Sequence, residues 1–196
     1  MKKIIELIKK NQFYICFFTP ILLSMLAYWR WLSFGVFAHS DWWYFYADRL
    51  KELIFPTAWT DFYLGTPNYI VWRYPFHALL GIWGFLGFDQ NVAEKIVVFW
   101  PIILLMPISS FLLVREITKS NFGAFIGALV FSFNTYYLAI NTQGHILLTA
   151  AAAFGVFGLW LFLKAAQDNR FWKSVASMLL VFFAGVFIVT GAIEHS

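Results

Sequence analysis

The sequence predicts an all-α, polytopic helical membrane protein with about five transmembrane helices, and three observations predict it. Of its 196 residues, 61% are hydrophobic, 22% aromatic and only 12% charged, against roughly 45–50% apolar and about 25% charged in an ordinary soluble domain. Four runs lack Asp, Glu, Lys and Arg altogether: Phe13 to Trp29, Ile96 to Val114, Ser120 to Leu163 and Ser174 to Ile193. A bilayer crossing takes about 20 mostly apolar residues, so the 44-residue run holds two spans. The basic residues, finally, sit at the ends of these runs, where they orient a membrane protein. A net charge of +4 is therefore no sign of nucleic-acid binding. Disorder and a small secreted disulfide scaffold are excluded as well. Cys16, the single cysteine, allows neither an intrachain disulfide nor a cysteine-built metal site.

The elements follow in order. Lys2, Lys3, Lys9 and Lys10 precede a first span over 13–31. Its apolar stretch exceeds the 7–15 residues of a signal h-region, and Tyr28, Trp29, Arg30 and Trp31 stand where a small-residue cleavage site would be. It reads as a retained anchor with the N-terminus in the cytoplasm. The other spans are placed at 96–114, 122–140, 146–165 and 172–192, all within one transmembrane domain, 1–196. With the N-terminus inside, the inner segments carry nine basic residues against Glu6, Glu116 and Asp168, and the outer side carries five basic residues and seven acids. This is the positive-inside pattern of a cytoplasmic-membrane protein. Pro101 and Pro107 should bend the second span, because each removes a backbone donor. All four histidines, His39, His77, His145 and His195, fall on the outer side.

Residues 32–95 form a long outer loop, and a connection of that length must fold. A helix is predicted over 40–55, with Ser40 as cap and Phe55-Pro56 as stop. On helical spacing Asp41, Asp48 and Glu52 lie within about 20° of one another, which makes one stripe acidic. Trp42, Trp43, Phe45 and Tyr46 on the other faces suit a helix at headgroup level. Gly65, Pro67 and Asn68 then fold the chain back. The uncharged stretch 75–88 is too short to cross upright, so a second helix is predicted there, re-entrant or lying on the surface. Asp89 is placed to cap a helix that starts outside the membrane at Asn91 and runs into the second span.

The sequence contains no zinc-protease H-E-x-x-H, P-loop, dinucleotide fingerprint or G-x-S-x-G elbow. What remains is carboxylates beside a lipid surface. Asp41, about ten residues beyond the first span, can accept a proton from an acceptor hydroxyl or, with Asp48, ligate a divalent cation. The plainer role for Asp41 is an acid stabilised at a helix N-terminus, and for Asp48 a solvated face beside Arg49 and Lys51. Arg73 and His77, four apart, can hold a phosphate through charge-assisted hydrogen bonds, or Arg73 can simply snorkel to headgroups. His145, after Asn141-Thr-Gln-Gly144, is a phosphate candidate beside helix amides, or a capping residue.

Asp41 within HSDWWYFYADRL, the stretch WTDFYLGTP from Trp59, RYPF from Arg73 and NTQGHILL before the fourth span carry a family resemblance. With the order of spans and loop, they make the chain resemble the N-terminal part of the GT-C glycosyltransferases, in particular the YfhO-like and arabinofuranosyltransferase-like membrane proteins. The resemblance implies transfer of a sugar from a polyprenyl-phosphate donor on the outer face of the membrane to a glycan, protein or lipid acceptor. It makes Asp41 the base or metal ligand and Arg73 and His145 positional candidates for the carrier phosphate. It also implies further spans and an outer domain, so a chain ending at GAIEHS reads as truncated and, by itself, inactive. The alternative reading is a non-catalytic polytopic membrane protein, an assembly subunit or a lipid-handling transporter. The uncharged run through the third and fourth spans leaves Asn134 and Thr135 as its interior polar hints.

Overall fold

The computed structural model describes residues 11–33, 35, 50–55, 59–60, 66–67, 74–168 and 171–193. Among them the chain is all-α, apart from one two-residue antiparallel ladder. In order come α1 (Gln12–Ala27), α2 (Trp29–Leu32), a 3-10 helix (Leu50–Ile54), β1 (Trp59–Thr60), β2 (Thr66–Pro67), α3 (Tyr74–Phe85), α4 (Gln90–Glu94), a π-turn (Lys95–Phe99), α5 (Trp100–Thr118), α6 (Asn121–Phe133), α7 (Thr135–Thr142), α8 (Ile146–Asp168) and α9 (Phe171–Ile193). The ladder pairs Trp59 with Pro67 and Thr60 with Thr66, so the chain does fold back between them.

Among the described residues four helical stretches are long and apolar enough to cross a membrane: Gln90–Thr118, Asn121–Thr142, Ile146–Gln167 and Phe171–Ile188. The protein is thus an integral membrane protein by the length and composition of its helices. α1 is shorter, 16 residues, or about 24 Å at 1.5 Å per residue. Helices suit this solvent because they satisfy every interior backbone group within the segment.

Packing follows the small residues. α8 and α9 meet where Gly158 lets α9 approach, and the Ser177 hydroxyl donates to the Gly158 carbonyl at 2.8 Å. Toward their other end Phe154 stacks on Phe187 at 5.4 Å. α5 and α6 meet at Gly127, where an added Cβ would lie 2.8 Å from Val114. α1 lies against both: Phe17 packs edge-on to Phe111 at 5.3 Å, and Cys16, Phe111, Ala124 and Ala128 form a small buried cluster.

The structure differs from the expected boundaries in four places. Of the helix expected over 40–55, residues 40–49 lie outside the described residues, and Leu50–Ile54 is a 3-10 helix. The helix expected over 75–88 runs Tyr74–Phe85 and packs on that 3-10 helix through Gly81 and Gly84, whose added Cβ atoms would come within 2.8 Å of the Ile54 nitrogen and 2.7 Å of the Lys51 nitrogen. It stops in a Schellman closure. Gly87, at φ +88°, donates to the Gly84 carbonyl and Phe88 to that of Trp83, both at 3.0 Å, with the Trp83 and Phe88 rings 5.5 Å apart.

The helix expected to start at Asn91 and run into the span at 96–114 begins at Gln90, and the apolar stretch extends from there to Thr118. Asp89 caps it, its carboxylate accepting from the Val92 amide at 2.9 Å. Pro101 is met by the π-turn, in which the Trp100 amide reaches back to the Lys95 carbonyl; a proline ring crowds the carbonyl four residues earlier, and a wider turn relieves that crowding. At Pro107 the helix continues, and the Ser110 hydroxyl donates to the Met106 carbonyl at 2.6 Å. Lastly, the third spanning stretch is interrupted at Asn134, whose backbone is extended (φ −68°, ψ 151°).

Candidate functional site

The two ends of the bundle carry different chemistry. At one end α2 stops, α4 starts, and α7 turns into α8; the segment from 34 to 89 leaves and returns here. At the other end α5 turns into α6 and α8 into α9.

The first end holds a buried polar layer. Gln90, Glu94 and Lys95 are 2%, 2% and 6% exposed. Consecutive residues on an α-helix point about 100° apart, so neighbours rarely both face inward; here Lys95 opens the π-turn directly after Glu94, and both are buried. The Gln90 amide donates to the Glu94 carboxylate, and the Lys95 ammonium donates to the Ser33 carbonyl. Asp89 and Glu94 are acids near enough to Lys95 to act on its charge. Lys95 thus ties the end of the first helical segment to the start of the second. Beside this clasp Trp31 stacks on Tyr28, 4.6 Å between rings, and meets Phe99 at 5.1 Å.

A second polar node adjoins through Tyr28. Its hydroxyl faces the Asn141 side chain. Asn141 in turn accepts a 2.6 Å hydrogen bond from the Thr149 hydroxyl, and both residues are buried. The Tyr28 hydroxyl and the Asn141 amide nitrogen are both buried and face each other without a hydrogen bond of full geometry. Three helices, α1 at its end, α7 in its last turn and α8 in its first, therefore converge on one small polar spot.

His145 stands at the α7–α8 corner. Its amide donates to the Ile140 carbonyl at 3.0 Å while Gly144, at φ +90°, donates to that of Asn141 at 3.3 Å, which is again a Schellman closure. His145 then accepts from the Leu148 amide at 3.2 Å through its own carbonyl and so opens α8. His77 lies on α3, 4% exposed, its ring 5.5 Å from that of Phe76, which itself meets Phe187 of α9 at 5.7 Å. Asp41, Asp48 and Arg73 lie outside the described residues. Of the five residues singled out in the sequence, the structure thus describes His77 and His145, and both belong to the loop-bearing end. Among the described residues no three His, Cys, Asp or Glu side chains gather as a metal site.

The opposite end keeps its charges at the rim. Glu116 accepts from Lys119 at 2.5 Å and from Lys164 at 2.7 Å, tying α5 to α8. Arg115 donates to the Asn121 side chain at 2.8 Å, and its guanidinium lies 4.5 Å from the centre of the Phe13 ring.

Sequence reasoning placed Glu94 and Lys95 on the helix capped by Asp89 but gave them no part in a site, because nothing in the pattern said that both would be buried. Family models, curated proteins and solved structures were all compared with the chain, and none matches.

Proposed function

We propose that the chain is that of a membrane glycosyltransferase of GT-C type, which takes a sugar from a polyprenyl-phosphate donor at the outer face of the cytoplasmic membrane. The observation that supports this reading is the placement of the buried ionisable groups: among the described residues, Glu94, Lys95 and His77 all belong to the loop-bearing end of the bundle. Transporters more often set such groups near the midplane. A lipid-linked donor presents its phosphate at the membrane surface, the depth at which this polar layer would lie. On this reading Asp41 takes the proton from the acceptor hydroxyl, or shares a divalent cation with Asp48. Arg73, with His77 and His145, receives the donor phosphate. The acceptor is a glycan, protein or lipid.

Transfer from a polyprenyl-phosphate sugar by the intact gene product in membranes tests it. Asp41→Asn is expected to lower turnover by about 10² to 10⁴, the usual contribution of a general base, while Arg73→Ala raises the donor KM. Near-normal turnover in Asp41→Asn returns that residue to helix capping and leaves the reading on fold analogy alone. The orientation has its own test. Single cysteines at positions 68 and 143 should react with an impermeant reagent in whole cells and one at 168 should not; a labelled 168 reverses the topology.

The interruption at Asn134 supports the second reading, a lipid-handling transporter, because broken spanning helices often build transport sites. Movement of a lipid-linked sugar between leaflets of sealed vesicles, with no transfer, would decide for it.

A further inference from the structure

We propose that α7 is a lid, hinged at Asn134 and Gly144, that covers the polar node made by Tyr28, Asn141 and Thr149. The inference is independent of the transferase reading, since it concerns only how this end of the bundle opens.

Each part of a hinged element is present. At the first hinge the Asn134 side chain ends one helix and starts the next: its amide nitrogen donates to the Phe131 carbonyl at 2.9 Å and its oxygen accepts from the Tyr137 amide at 3.0 Å. Both helix ends are thereby satisfied by a side chain at the break itself, so no backbone hydrogen-bond ladder has to run unbroken from α6 into α7. At the second hinge Gly144 holds a left-handed backbone, and the two Schellman hydrogen bonds close α7 on itself. α7 is thus a helix of eight residues with its own cap at each end.

One side of this helix is set for contact and the other for the surroundings. Ile140 and Asn141 are buried, whereas Tyr136 is 62% and Leu138 39% exposed. Asn141 supplies the latch through Thr149, and Tyr137 rests on Phe131 across the first hinge, ring centres 5.4 Å apart. The latch is weak by construction. Closing α7 buries the Tyr28 hydroxyl against the Asn141 amide with no bond of full geometry between them, and a buried donor so poorly satisfied works against the state that buries it. Opening gives both donors to water or to an entering oxygen. A two-state element needs such opposing contributions to stay close to balance.

Distance measurement between spin labels on α7 and α8 tests the proposal in the whole chain in lipid nanodiscs, with Cys16→Ala as background. A pair at Leu138→Cys and Leu159→Cys, both exposed positions, should give two distance populations. Thr149→Val should enrich the longer one several-fold, and Asn134→Ala, which removes both caps at the break, should merge them into one. A control pair at Val130→Cys and Leu159→Cys, on α6 and α8, should stay single and narrow throughout. Hydrogen exchange provides a label-free check: amides 135–142 should exchange at least tenfold faster than those of 121–133 and 146–160, and faster again in Thr149→Val. A single 138–159 distance that Thr149→Val leaves unmoved, or equal protection across the three segments, overturns the lid.

Discussion

The two ends of the bundle manage charge in opposite ways. At the end where α5 turns into α6, Glu116 sits between Lys119 and Lys164 at the rim, the lysine side chains 69% and 30% exposed and that of Glu116 12%. Water and salt reach these ion pairs from the lysine side. At the loop-bearing end Gln90, Glu94 and Lys95 are almost wholly buried, so each polar group depends on its protein partners. The same residue types therefore carry different weight: a charge at the rim is replaceable, whereas a charge in the buried layer holds the ends of two helical segments together.

The sharpest way to break this contrast is Lys95→Met. Removing one member of a buried charge group leaves the other uncompensated, which costs about 3–5 kcal/mol; unfolding of the purified protein in mild detergent should show it. The double variant with Glu94→Gln should recover a large part of that loss, and simple additivity of the two single variants would show that the residues do not act together. Next in size is Gly84→Val. It places side-chain atoms where the Lys51 and Leu50 backbone lies, and overpacking of this kind costs about 1–3 kcal/mol. Its mark is selective: protease sensitivity near 50–55 should rise while the α8–α9 pair stays intact. Asp89→Ala removes the cap on α4 and should cost about 1 kcal/mol. Glu116→Gln completes the series with the smallest shift, one that disappears in high salt as expected of screened rim charges. A loss at Glu116 equal to that at Lys95 would erase the distinction between the ends.

Much of the fold was legible in the sequence, because apolar runs report directly on spans. The Asp89 cap was legible too: an acid before an apolar helix has few other uses. Two features escaped for physical reasons. The burial of Glu94 and Lys95 escaped because it is decided by Ser33 and the π-turn, neither of which leaves a periodic trace. The break at Asn134 lies inside the span expected over 122–140, which carries no charge to punctuate it. For the site, His77 and His145 were assigned to the loop-bearing side from the parity of the spans, and their helices do converge there. Tyr28 counted only as evidence against signal cleavage and Thr149 not at all, since a threonine in an alanine-rich helix reads as filler.

The π-turn has a consequence for how this helix can change over generations. Between Lys95 and Trp100 the backbone spends one residue more than an α-helix needs, and one residue is about 100° of rotation. Everything on the Gln90 side of the turn is therefore out of phase with everything on the Thr118 side, and that offset is what aims Gln90 and Glu94 inward. Losing a single codon within 95–99 would let the helix run true and swing both residues toward lipid, while the rest of the span kept its seating. Deleting Ile96 should accordingly lower the yield of folded protein far more than Ile96→Ala does, and equal yields would mean that the offset carries no such cost. The segment is constrained by its length as well as by the buried side chains of Lys95, Val98 and Phe99.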